Sequence, residues 1–228
     1  MKPFACLARP KVALATGLTV LALITAAPGH SQAPDGQALA TTFGEVCIPE
    51  RFSHDGTVAL AHELGWQAVV AGENAEYDRF IAHAEARLAE EVAEDPDLIQ
   101  GSESAWLTRD IGGRPHLLAV SLLLTSVMDT LGCYIYDFAA NAPIDPEPVT
   151  NLLGQEVAYT TDGDDPFFAV DPQLLVTTVW GPPPGLPRTG DTYLTFIPES
   201  SAVAGETGFA GLMLKFSTSL PSWEDRQK

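Results

Sequence analysis

The sequence predicts an α+β fold: an antiparallel sheet of about six strands with two N-terminal helices and one mid-chain helix. The most apolar stretch outside the N-terminus, residues 116–138, is interrupted by the polar tetrad 129–132, which separates two runs rich in Val, Ile, Leu and Tyr. This pattern is typical of paired strands. A membrane helix is disfavoured because the apolar run 117–128 is too short to cross a bilayer. Helical and strand patterns also occur in separate groups along the chain, which favours α+β.

Three helices are predicted. The first lies between the capping residue Ser53 and Gly65, a glycine placed to end a helix. The second spans about residues 74–94, where apolar side chains recur three and four positions apart. The mid-chain helix is indicated by Pro146 at its first position and Gly154 at its end.

Six strands are predicted from runs of β-branched, aromatic and alternating apolar residues. They are residues 105–111, the two halves of residues 116–138, and residues 174–180, 192–197 and 211–219. Gly112 and Gly113 are expected to turn the first strand into the second. The Pro-rich segment 181–187 and the small, polar segment 199–208 are predicted to be surface connections.

The N-terminus has the layout of a secretory signal peptide. Basic residues precede the apolar run 12–27, and small and polar residues follow it. We predict that residues 1–33 are cleaved, although cleavage after Gly29 or Ala40 also fits the pattern. The run is short for a permanent anchor, so the mature chain is predicted to have no membrane span and to be periplasmic or extracellular.

The mature chain is predicted to have three parts. Residues 34–42 are small and polar and are expected to form a flexible leader. Residues 43–220 are predicted to form a single globular α+β domain, which begins with a short extended segment at residues 43–52. Residues 221–228 are expected to be a charged tail.

The mature chain is strongly acidic. Of the 12 basic residues three precede the cleavage site, which leaves nine against 30 acidic residues and a net charge of about −21. This charge repels phosphate backbones and anionic lipids, so no nucleic-acid partner is predicted and membrane surfaces are disfavoured, whereas cations or basic partners fit better. Alternatively, the charge only keeps an exported protein soluble.

Two cysteines remain after cleavage, Cys47 and Cys133. Export would bring them into an oxidising compartment, where a pair of this kind normally forms a bridge. We therefore predict a disulfide between them. A redox role is disfavoured, because neither cysteine belongs to a Cys-x-x-Cys motif.

No metal or cofactor site is predicted. Four side chains on the two N-terminal helices offer ligand atoms that could meet between the helices: His62, Glu63, His83 and Glu85. Three aspartates beside Gly163 offer the oxygens that calcium prefers: Asp162, Asp164 and Asp165. These aspartates lack the other ligand positions of an EF-hand loop. They are therefore predicted to belong to a solvated turn.

The first functional hypothesis is a non-enzymatic binding domain for an unknown protein or small-molecule partner in the cell envelope. Its candidate surface is the stripe formed by Tyr134, Tyr136 and Phe138, which alternation places opposite Cys133 and Ile135. Tyrosine and phenylalanine suit recognition surfaces because they combine a large apolar body with a hydroxyl that tolerates water. The alternative is that another element covers this stripe as part of the core.

The second hypothesis is a small hydrolase or metal-dependent enzyme. The common serine-hydrolase, zinc and nucleotide signatures do not occur in the mature sequence. An active site would therefore have to be assembled from scattered residues such as His116, Asp137 and Asp164. We favour the binding domain over the enzyme.

Overall fold

The computed structural model describes residues 34–163 and 167–221. Three predictions fall wholly or mainly outside these ranges: the signal peptide at residues 1–33, the aspartates Asp164 and Asp165, and the charged tail. The described part has the α+β architecture that the sequence predicts.

A single antiparallel sheet runs through the described structure, in the order β1-β2-β3-β4-β8-β7-β6-β5. Its strands are β1 (Gln67–Ala68), β2 (Ile99–Ile111), β3 (Arg114–Thr125), β4 (Thr130–Asp137), β5 (Tyr159–Thr160), β6 (Val176–Trp180), β7 (Thr192–Ile197) and β8 (Gly211–Ser219). In the part of the chain that the structure describes, the sheet therefore has eight strands where about six were predicted. The two additional strands, β1 and β5, contain two residues each and are too short to show alternation.

Within the described residues, five helices accompany the sheet where three were predicted. They are α1 (Gly36–Cys47), α2 (His54–Glu63), α3 (Ala75–Glu94), α4 (Glu147–Leu153) and α5 (Ala202–Thr207). The second, third and fourth are the predicted helices. None of the helices in the described ranges is both long enough and apolar enough to cross a membrane.

Helix α1 corrects the prediction of a leader at residues 34–42 and an extended segment at residues 43–52. The Asp35 side chain accepts a hydrogen bond from the backbone N–H of Ala38 and caps the helix. Leu39, Phe43 and Val46 follow at helical spacing and are buried. Thr41 and Thr42 mask this periodicity in the sequence, because they interrupt it with polar side chains.

Helix α5 corrects the prediction of an irregular connection at residues 199–208. Ser201 caps it by accepting a hydrogen bond from the backbone N–H of Val203, and Gly208 ends it with a φ of 69°. The helix is short and has no fully buried residue. Its sequence therefore lacks the apolar stripe that would have predicted it.

The connection between β3 and β4 lies three residues earlier than predicted, at residues 126–129 instead of 129–132. Thr125 fixes it, because its hydroxyl accepts hydrogen bonds from the backbone N–H groups of Val127 and Met128. Gly132 lies within β4, where the ring of Tyr134 occupies the space that a β-carbon would need. The glycine that suggested a turn is thus required by close packing.

Helices cover both faces of the sheet. On the face that carries Cys133, called the disulfide face below, strand residues such as Leu118 pack with α1, α2 and α4. On the opposite face, called the aromatic face, strand residues such as Leu117 and Tyr136 pack with α3 and α5. The neighbours Leu117 and Leu118 belong to different faces because side chains alternate along a strand.

The predicted disulfide between Cys47 and Cys133 is confirmed. It joins the last residue of α1 to the middle of β4, with a Cα–Cα distance of 5.7 Å. Both cysteines are buried among the residues of the disulfide face. The bridge therefore fixes α1 to the centre of the sheet.

Candidate functional site

The predicted interaction stripe lies on the aromatic face, but α3 covers its centre. Tyr136 is 8% exposed, and its ring centroid lies 4.9 Å from that of Phe80 on α3 and 5.1 Å from that of Phe209. Phe138 also packs on Phe209, at 4.9 Å. Tyr136 therefore belongs to a packed core, whereas Tyr134 and Phe138 are half-buried.

The accessible part of this face continues from Tyr134 to Lys215 and Tyr193 on the neighbouring strands. The Lys215 Nζ lies 5.7 Å from the ring centroid of Tyr134 and 5.2 Å from that of Tyr193, within cation–π range. Burial lowers the pKa of Lys215. The hollow beside these three side chains encloses about 60 Å³, too little for a drug-sized ligand.

The disulfide face contains a cavity of about 420 Å³, which we call the apolar cavity. Strands β6, β7 and β8 contribute Val176, Thr178, Leu194, Phe196 and Leu212. The segments on either side of α4 contribute Pro143, Ile144, Pro146 and Val157. Its lining is thus mostly apolar, and its volume falls within the range typical of small-molecule sites.

Polar groups are few at this cavity. They belong to Thr178 on β6, the half-buried Thr160 and the exposed Asp162. The Thr160 hydroxyl donates a hydrogen bond to the Asp162 carboxylate. Among the described lining residues, Asp162 is the one titratable side chain. The arrangement suits recognition of an apolar body with a hydrogen-bond donor or positive charge near one end.

Two other hollows are present on the described surface. A cleft of about 680 Å³, called the acidic cleft below, is lined in part by Glu76 and Glu199. Burial raises the pKa of Glu76, Arg79 lowers it and Glu199 raises it further. The other hollow, of about 400 Å³, lies beside α3 and is lined in part by Ile81 and Trp106.

The structure brings together two of the three residues proposed for a scattered active site. His116 Nε2 lies 3.5 Å from Asp137 Oδ2, whereas Asp164 lies outside the described ranges. Arg114, which sequence reasoning missed, joins them: its Nη2 lies 2.7 Å from Oδ1 and 2.7 Å from Oδ2 of Asp137. The side chains of His116 and Asp137 are buried and that of Arg114 is 11% exposed, so the cluster is a largely buried structural ion pair.

Burial lowers the pKa of His116, although its Nδ1–H donates to the Arg114 carbonyl at 2.8 Å and Asp137 is near. As pH falls below about 6.5, the usual histidine value, the unfolded chain therefore binds a proton that the folded chain does not. Because of His116, we expect the free energy of unfolding to decrease as the pH is lowered, by up to about 1.4 kcal/mol per pH unit. Urea unfolding between about pH 7.5 and 5 should show a weaker dependence for His116→Gln than for wild type.

The control for this experiment is His62→Gln, because His62 lies exposed on α2. Its pH dependence should match that of wild type more closely than that of His116→Gln. Equal slopes for wild type and His116→Gln would contradict the assignment of this pH dependence to His116.

A metal site between α2 and α3 is incompatible with the observed packing, because the two helices lie on opposite faces of the sheet. The ring of His62 contacts the Trp66 carbonyl at 3.0 Å, and the ring of His83 contacts the Glu206 carbonyl at 3.0 Å. Each histidine ring therefore contacts a backbone carbonyl on its own side of the sheet. The candidate set His62, Glu63, His83 and Glu85 does not converge.

Sequence reasoning did not identify the apolar cavity. Two features of the sequence could have indicated it. One is the period-two apolar pattern of β7, which places Leu194 and Phe196 on one side, and the other is the stiff segment with Pro143 and Pro146. A strand pattern shows that one face is buried, but it does not show where the covering segments leave a cavity against the sheet. That information lies in the packing of α4 and its flanking segments.

Comparison of the chain with protein-family models, with curated proteins and with solved structures yields no match in any of the three. Its function is therefore inferred from the sequence and from the geometry of the described residues.

Proposed function

We propose that this chain is an exported, non-enzymatic binding domain that holds a small, mainly apolar molecule in the apolar cavity. The single observation that carries the proposal is this concave site of about 420 Å³ with its apolar lining. A well-formed apolar pocket with a few convergent polar groups is the usual form of a small-molecule site. The signal-peptide pattern and the disulfide support the exported setting.

The lining defines the class of ligand. Leu194, Phe196 and Leu212 offer apolar surface to an aliphatic or aromatic body, whose transfer from water contributes about 25 cal/mol per Å² buried. Asp162 offers a negatively charged acceptor. Together with the acidic charge of the chain, this favours a neutral or cationic ligand over an anionic one. The exported domain would thus take up an amphiphile whose polar end donates hydrogen bonds.

Val176→Phe tests the proposal by filling the cavity. Val176 is half-buried, lines the cavity and lies on a strand, where phenylalanine is well tolerated. We expect wild type to bind the neutral apolar dye Nile red with a fluorescence increase. Val176→Phe should weaken this binding at least about tenfold, equivalent to ~1.4 kcal/mol.

Met213→Phe is the matched control, because it places the same ring on the aromatic face next to Leu212. This variant should bind the dye like wild type. Thermal melts of both variants establish that they are folded. Dye binding that Val176→Phe leaves unchanged would contradict the proposal.

A hydrolase remains the second candidate because of the acidic cleft. Glu76, whose pKa is raised, and Glu199 could act as a general acid and base there. Glycoside or ester hydrolysis that Glu76→Gln abolishes would favour this function over the binding domain.

A further inference from the structure

We propose that His54, Asp55 and Glu103 form a surface site for a divalent transition-metal ion of the zinc class. His54 and Asp55 are the first two residues of α2, and Glu103 lies on β2. His54 Nδ1 lies 3.4 Å from Asp55 Oδ1 and 3.8 Å from Glu103 Oε1, and the three atoms all lie within 4.8 Å of one another. Nothing in the proposed binding function depends on this site.

The distances fit metal ligands better than hydrogen-bond partners. An N–H···O hydrogen bond joins its heavy atoms at about 2.7–3.2 Å, shorter than either contact of His54 Nδ1. Zinc bonds of about 2.0–2.2 Å in a tetrahedron place neighbouring ligand atoms about 3.3–3.6 Å apart. Asp55 and Glu103 have side chains that are 97% and 62% exposed, so they are free to rotate by the remaining distance.

The histidine ring provides an independent observation. His54 is 9% exposed, and its Nδ1 points at the two carboxylates. Its Nε2 is buried and has no hydrogen-bond partner among the described residues. The contacts of Nδ1 are long ones, to Asp55 Oδ1 at 3.4 Å and to Glu103 Oε1 at 3.8 Å. With the proton on Nε2, the Nδ1 lone pair faces two negative charges, an arrangement that a bound cation stabilises.

The backbone around the site holds the histidine in place. Ser53 caps α2 by accepting a hydrogen bond from the backbone N–H of Gly56, and the Thr57 hydroxyl donates to the Glu50 carbonyl at 2.9 Å. Only the two exposed carboxylates would have to move on binding.

The donor set selects the class of ion. One imidazole nitrogen and two carboxylate oxygens suit zinc and its neighbours, whereas calcium and magnesium take oxygen ligands. Two carboxylates neutralise the charge of a divalent ion, and the net charge of the whole chain, −18, attracts cations to the surface. Water would complete the coordination at the exposed side of the site.

Isothermal titration of the metal-free chain with Zn²⁺ tests the proposal. We expect one ion per chain for wild type. Asp55→Asn and Glu103→Gln should each weaken binding at least about tenfold, since even changes outside the ligand shell cost about 10–100-fold. Both residues are exposed, so melts without metal should match wild type. Glu63→Gln, at the exposed end of α2, is the matched control and should bind like wild type.

A second readout identifies the ligand atom. Nitrogen-detected NMR of the histidine rings should show the Nδ1 resonance of His54 shifting on zinc addition, while the rings of His62 and His83 stay unchanged. Binding that neither Asp55→Asn nor Glu103→Gln weakens would overturn the proposal. So would zinc-induced shifts confined to His62 or His83.

Discussion

Replacing Cys47 and Cys133 together by alanine should lower the free energy of unfolding by about 4–5 kcal/mol. The bridge closes a loop with a sequence separation of 86, and the chain-entropy model gives this value for a loop of that length. Both cysteines are buried, so the two smaller side chains add a modest packing loss. A domain stable by about 5–15 kcal/mol would thereby lose a large part of its margin.

Urea unfolding of the mature protein measures this effect. Reducing agent should shift the midpoint of the wild type towards that of the double variant and should leave the double variant unchanged. A loss below about 1 kcal/mol would contradict the entropic account of the bridge.

Asp137→Asn should cost about 3–5 kcal/mol of unfolding free energy, because it removes the charge that faces the Arg114 guanidinium in a buried site. The side chain of Asp137 also accepts a hydrogen bond from the backbone N–H of Ala139 at 3.0 Å. Asparagine keeps the shape and this acceptor, and it replaces the carboxylate oxygen Oδ2, which faces Arg114, by an NH2 group. Equilibrium unfolding in urea measures the loss.

A double-mutant cycle separates the ion pair from general disturbance. Adding Arg114→Met to Asp137→Asn should recover part of the loss, since the uncompensated buried charge is then removed. The control is Asp110→Asn, because Asp110 is exposed on β2 and should change stability little. Additive effects of Arg114→Met and Asp137→Asn would contradict the pairing.

Local signals in the sequence explain how much of the fold could be predicted. The start of α3 is predictable because Asn74 accepts hydrogen bonds from the backbone N–H groups of Glu76 and Tyr77. Strands β7 and β8 have the predicted bounds, and in β8 buried residues alternate with more exposed ones along most of the strand. The α1 helix was missed because residues 34–42 are small and mostly polar and show no clear period. In the structure Gly44 makes room for Leu152 of α4.

The sites depend on contacts between distant parts of the chain, which a single sequence does not display. The Asp137 pair requires Arg114 at the start of β3 to meet the end of β4. The need for glycine at position 211 also cannot be found from the sequence. Gly211 has a φ of 125° and lies against the Asp137 carbonyl of the neighbouring strand, and both features require a glycine. The apolar cavity likewise depends on where the segments on either side of α4 meet β6, β7 and β8.

The most direct measurement of the central claim is a methyl-resolved NMR titration of the protein with Nile red. If the apolar cavity is the binding site, the largest shifts should occur at its lining methyl groups: Ile144, Val157, Val176, Leu194 and Leu212. The methyl groups of Val69 and Ile81, which line the hollow beside α3 on the aromatic face, should stay unchanged. Shifts centred on Val69 and Ile81, or no saturable shifts at the cavity, would contradict the account.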